Sequence, residues 1–75
     1  MKLTLIQRDD CPLCDDAWSV LADAGVRNFD PLWIDDDDGL ETRYGARVPV
    51  LRREDSSAEL DWPFSGNDVR LWLAT

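Results

Sequence analysis

Cys11 and Cys14 are the only two cysteines of the chain and stand in a C-P-L-C motif around Pro12 and Leu13. This spacing belongs to thiol-disulfide chemistry. Three residues apart on a helix, two side chains share one face, and Cα atoms about 5 to 6 Å apart can be joined by a disulfide with little backbone movement. A cysteine at a helix start also meets unpaired backbone N–H groups and the positive end of the helix dipole, which favour thiolate over thiol. The thiolate is the attacking species, so Cys11 is expected to attack and Cys14 to resolve. A stapling role fits poorly, because a cross-link stabilises more as it encloses more residues, and this loop is short.

The remaining composition narrows the chemistry. There is no histidine, which removes Ser-His and Cys-His arrangements and any histidine acid-base catalyst. Two cysteines without histidine cannot close a four-ligand zinc site within one chain, so no metal site is expected. The run Asp35, Asp36, Asp37, Asp38 before Gly39 invites an EF-hand reading. With Gly39 at loop position six, however, position one is Ile34 and position twelve is Gly45, so the template fails. A solvated acidic loop capping a short helix is expected instead.

A net charge of −8 over 75 residues disfavours contact with nucleic acid or an anionic membrane, and makes a basic partner protein the expected kind. The stretch Met1 to Gln7 is far too short in apolar residues for a signal segment or a membrane span, so a cytoplasmic location is expected. The length allows one domain, residues 1–75, with a small core and a monomeric state expected.

The elements that must position the pair follow from pattern. Lys2 to Gln7 reads as a strand, and a turn follows at Arg8 to Asp10. Leu13, Ala17, Val20, Leu21 and Ala24 form an apolar stripe of helical period ending before Gly25, with Pro12 suited to the first turn. A second strand, parallel to the first, is expected to begin after Pro31 and run through Leu32, Trp33 and Ile34. A short helix over Asp38 to Tyr44 is stopped by Gly45. Val48 to Arg53 and Ala58 to Trp62 read as a hairpin around Glu54 to Ser57. Ser65 or Asn67 is expected to cap a final helix carrying Val69, Leu71, Trp72 and Leu73. The order is β-α-β-(α)-β-β-α. Trp18, one turn after Cys14 on the same face, is expected either to shield the disulfide or line a groove, or to pack in the core or at the helix flank. Trp33, Trp62 and Trp72 are expected to face the core, and Arg52 and Arg53 to face solvent.

Strand, C-P-x-C, helix, strand, a Val48-Pro49 dipeptide opening a hairpin, and a closing helix together resemble the glutaredoxin-like branch of the thioredoxin superfamily. The stretch Tyr44, Gly45, Ala46, Arg47, Val48, Pro49, Val50, Leu51 is similar to small bacterial glutaredoxin-like proteins. The resemblance spans nearly the whole chain and implies an α/β, thioredoxin-like fold with a four-stranded mixed sheet flanked by helices. It implies a cis peptide before Pro49, with the Val48 backbone pairing to a bound thiol peptide such as glutathione. Arg8, three positions before Cys11, would pair with a glutathione carboxylate or favour the Cys11 thiolate. Asn67 and Asp68 lie near where the family holds the γ-glutamyl end at a helix start.

The activity implied is reduction of protein or glutathione mixed disulfides, with no tightly bound cofactor and with either glutathione or a thioredoxin-type reductase as the source of electrons. Two other readings stand beside it: glutathione-assisted iron-sulfur ligation through Cys11, and a catalytically idle interaction module. The chain departs from the family where Asp9, Asp10, Asp15 and Asp16 crowd the motif and Leu13 replaces an aromatic residue. Their like charge is expected to oppose the Cys11 thiolate and to weaken binding of anionic glutathione.

Overall fold

The computed structural model describes residues 2–75. Its centre is β1 (Leu3–Gln7), all five residues of which are buried. Burial on both faces follows from position, since the sheet order is β2-β1-β3-β4 and helices cover both sides. β2 (Asp30–Trp33) runs parallel to β1 with Leu5 opposite Pro31. β3 (Val50–Arg53) runs antiparallel on the other side, with Leu5 opposite Leu51 and Ile6 opposite Val50. β4 (Glu59–Asp61) completes the hairpin.

The alternation of β1 divides the core in two. Leu3, Leu5 and Leu51 pack with Ala17 and Leu21 of α1 (Pro12–Asp23), Phe64 and Val69 of α3 (Gly66–Leu73). Ile6 and Val50 pack on the opposite face with Ile34 and with Tyr44 of α2 (Asp38–Tyr44). Each fully buried leucine here contributes on the order of 1.5 to 3 kcal/mol by leaving water.

The helix ends follow from local chemistry. Gly25, at φ +78°, closes α1: its N–H donates to Ala22 O at 3.0 Å and the Val26 N–H to Leu21 O at 2.9 Å. Only a residue at ease in the left-handed region makes this Schellman turn cheaply. Asp37, from the acidic run, caps α2 by accepting the Leu40 N–H at 3.0 Å. Ser65 caps α3, accepting the Asp68 N–H at 3.1 Å while Asp68 accepts the Ser65 N–H at 2.9 Å. No helix is long and apolar enough to cross a membrane among the described residues.

Three details differ from the pattern reading. Pro31 lies within β2 rather than before it; β2 is an edge strand, where a missing N–H need not cost a ladder bond. Trp33 is 51% exposed instead of facing the core, because an edge strand has no neighbour to cover its outer side. Arg52 and Arg53 are largely covered, their side chains 19% and 12% exposed. β3 is an internal strand, so neighbouring chains shield the arginine stems, and their heads find Glu54, Asp55 and the face of Trp72.

Candidate redox site at the start of the first helix

The chain leaves β1 through a tight turn into the cysteine motif. Asp10 sits at φ 54°, a left-handed conformation that aspartate tolerates better than most residues. Its N–H donates to Asp9 Oδ1 at 3.1 Å, and the Asp9 N–H donates to both Asp35 carboxylate oxygens at 3.0 and 3.2 Å. One aspartate of the acidic run thus fastens the loop after β2 to the turn before the motif. Cys11 then takes an extended conformation and serves as N-cap of α1. Its carbonyl accepts the N–H groups of Cys14 and Asp15 at 3.1 and 3.2 Å, and its Sγ accepts the Cys14 N–H at 3.1 Å.

Cys11 and Cys14 form a disulfide with Cα atoms 5.2 Å apart. The two are unequally placed. Cys11 is half-buried at the mouth of a cleft, whereas Cys14, one turn into the helix, is 1% exposed. The cleft encloses about 480 Å³ between Cys11, Pro12, the carboxylates of Asp9, Asp10 and Asp15, and two tryptophans, Trp18 and Trp33. Trp18 is fixed from two sides. Its indole N–H donates to Gln7 Oε1 at 2.9 Å, and its ring meets Phe29 edge-on at 4.9 Å. Gln7 is itself 1% exposed, and its Nε2 amino group has no hydrogen-bond partner among the described residues.

On the far side of the motif a second groove of about 330 Å³ runs between Leu13, Ala46, Arg47, Val48, Asp61 and Trp62. The Val48–Pro49 peptide is cis, and so is Trp62–Pro63. Pro49 is fully buried. The Val48 N–H is already committed to Tyr44 O at 3.0 Å, so the main-chain group of Val48 open to a ligand is its carbonyl.

An ion-pair network holds this groove. Arg47, beside Val48, donates to Glu59 and to Asp61, both at 2.7 Å. Those hydrogen bonds raise the guanidinium above its ordinary value. Tyr44 Oη donates to Glu59 Oε2 at 2.6 Å and accepts from Arg52 Nη1 at 2.9 Å. Burial pushes Glu59 up, but the hydrogen bonds from Tyr44 and Arg47 outweigh it and hold the carboxyl below its ordinary value. Glu54 is also held below it, by Arg52 first and by Thr4 second.

A family model described as a glutaredoxin-like domain (DUF836) matches residues 2–74. The chain belongs to that glutaredoxin-like family. Among solved structures, the X-ray structure of Northeast Structural Genomics target protein XcR50 from X. campestris is 54% identical. It has a TM-score of 0.91 over 96% of this chain and 95% of that one. The solution structure of XcR50 gives 54% identity and a TM-score of 0.90 over 99% and 94%. Protein Ne2328 from Nitrosomonas europaea, at 24% identity and a TM-score of 0.78 over 95% and 88%, shares the fold. No curated protein matches the chain.

Within this glutaredoxin-like domain the residues singled out from sequence fall into three places. Cys11, Cys14 and Arg8 meet at the end of β1 and the start of α1, with Arg8 and Cys11 on the same cleft. The Arg8 guanidinium is turned to α2, however, pairing with Glu41 and donating to Gly45 O at 3.2 Å. Val48 shares the second groove with Leu13, which lies between the two cysteines in sequence. Asn67 and Asp68 line neither the cleft nor the groove; Asp68 is engaged in capping α3. Pattern reading passed over Gln7 and Arg47. Gln7 had a signal, being the polar residue on the inward face that Leu3 and Leu5 define.

Proposed function

We propose that this domain is a thiol-disulfide oxidoreductase in which Cys11 attacks and Cys14 resolves. The observation that carries the reading is the unequal placement of the two sulfurs. Cys11 Sγ stands at a helix start, accepts a backbone N–H at 3.1 Å and opens onto a cleft, while Cys14 is 1% exposed behind it. The hydrogen bond and the helix dipole both favour a charged sulfur on Cys11. A docked disulfide therefore meets Cys11 first.

From the dithiol form, the Cys11 thiolate attacks one sulfur of the substrate disulfide. A Cys11–substrate bond forms, and the second substrate sulfur leaves as a thiolate that takes a proton from water. Cys14, its proton lost to solvent, then attacks Cys11 Sγ, closes the Cys11–Cys14 disulfide and expels the first substrate sulfur. Two electrons pass from the protein to a protein or glutathione mixed disulfide. A thiol reductant, glutathione or a dithiol protein, returns them. In the glutathione case, the Val48 carbonyl offers main-chain pairing beside Pro49.

The test is the fraction of Cys11–Cys14 disulfide across a series of glutathione redox buffers, read by alkylation and mass spectrometry. A two-electron transition near the cytosolic glutathione poise is expected, with Cys14→Ser accumulating a glutathione adduct on Cys11. A pair that never oxidises sinks the mechanism.

A further inference from the structure

Resting on the oxidoreductase reading, we infer that the cleft beside Cys11 selects disulfides carrying positive charge next to the sulfurs and discriminates against anionic ones, glutathione disulfide included. The first observation is the sign of the walls. Asp9, Asp10 and Asp15 line the cleft and are exposed to solvent. Among the described residues Arg8 is the one basic residue on it, and its guanidinium is neutralised by Glu41 and spent on the Gly45 carbonyl. A substrate approaching Cys11 therefore meets net negative charge.

The second observation is aromatic. Trp18 and Trp33 flank the same cleft at 43% and 51% exposure. Indole faces attract ammonium and guanidinium groups, most strongly where carboxylates stand nearby. Deeper in the cleft, Gln7 is 1% exposed and holds the Trp18 indole in place. Its orientation is fixed, because the Trp18 N–H needs the Gln7 oxygen. Carboxylates and indoles around a reactive sulfur suit a disulfide in a basic peptide segment.

The redox step is unchanged by the charge of the substrate. The Cys11 thiolate bonds to one substrate sulfur, the other leaves as thiol, and Cys14 completes the two-electron transfer, so a single turnover of pre-reduced protein needs no further reductant. The experiment measures that turnover by stopped-flow tryptophan fluorescence with four disulfides: cystamine (cationic), 2-hydroxyethyl disulfide (neutral), 3,3′-dithiodipropionate (anionic) and glutathione disulfide. Each rate is divided by that of 2-mercaptoethanol with the same disulfide, which removes leaving-group differences. Cystamine is expected to exceed dithiodipropionate by about tenfold or more at low salt, the scale of electrostatic steering. That ratio should fall below about threefold at high salt.

The protein as a whole is acidic, so the locality of the effect needs its own arm. Asp9→Asn/Asp10→Asn/Asp15→Asn should lose most of the preference, whereas Asp23→Asn/Asp30→Asn/Asp55→Asn, outside the cleft, should keep it. Equal loss in both variants overturns the cleft as the selector. Turnover of all four disulfides without cationic preference in the unsubstituted protein overturns the inference and leaves the oxidoreductase reading standing. Turnover of none overturns both.

Discussion

The Tyr44 hydroxyl donates to Glu59 Oε2 at 2.6 Å, joining the last residue of α2 to the first residue of β4. Tyr44 is fully buried and its oxygen also accepts from Arg52 Nη1 at 2.9 Å. Because Arg47 binds the same Glu59, this contact fixes the segment that carries Val48 and Pro49 beside the cysteine motif. Tyr44→Phe is expected to lower stability by about 1 to 2 kcal/mol, a lost buried hydrogen bond with both former partners still paired elsewhere. The midpoint of urea unfolding, at unchanged slope, measures it.

Acid should undo the same network. Glu59 and Glu54 are held below their ordinary value of 4.5 in the folded state. A carboxyl depressed on folding stabilises fully above the unfolded value and loses that contribution as pH falls through the lower folded value. Stability is therefore expected to be flat from neutrality to about pH 5 and to fall below it. Glu59→Gln should be less stable at neutral pH and show a shallower acid decline. An unchanged decline would remove Glu59 from the acid response.

Asp10 separates charge from conformation. Its φ of 54° suits asparagine as well as aspartate, so Asp10→Asn removes a charge near Cys11 without disturbing the turn. Asp15→Asn removes one from the first turn of α1. Each is expected to move the pH profile of Cys11 alkylation in the reduced protein downward by about 0.3 unit at low salt, since a neighbouring anion opposes the thiolate. The shift should shrink with added salt.

Gly25 offers a test of backbone alone. Apart from its chain neighbours, no atom of the described residues lies within 4 Å of where a Cβ would sit, yet φ is +78°. Gly25→Ala should cost about 1 kcal/mol through the left-handed conformation, a drop of roughly 4 to 8 °C in Tm for a domain of this size. Gly25→Asn should fall between the two.

Much of the fold was legible in the chain because local rules and tertiary packing agree there. Of the stripe Leu13, Ala17, Val20, Leu21 and Ala24, all but the 48% exposed Leu13 pack on the core, and the N1 proline and Gly25 mark the two ends of α1. Trp33 was misread because hydrophobicity says nothing of whether a strand lies inside a sheet or at its border. Arg52 and Arg53 were misread for the converse reason. At the site, the cysteine spacing and the Val48-Pro49 dipeptide were visible as motifs, but the commitment of Arg8 to Glu41 was not. That pair joins residues 33 apart in sequence, and only the folded turn brings them together.

The two outer strands have a consequence for association. β2 carries Pro31, which has no N–H to offer, and β4 is three residues long and ends one residue before the cis Trp62–Pro63 peptide. An added strand from another molecule would find an interrupted row of donors along one border and a stub along the other. Protection against templated β-stacking is thus written into the covalent chain at both limits of the sheet, and it persists whichever oxidation state the cysteines hold.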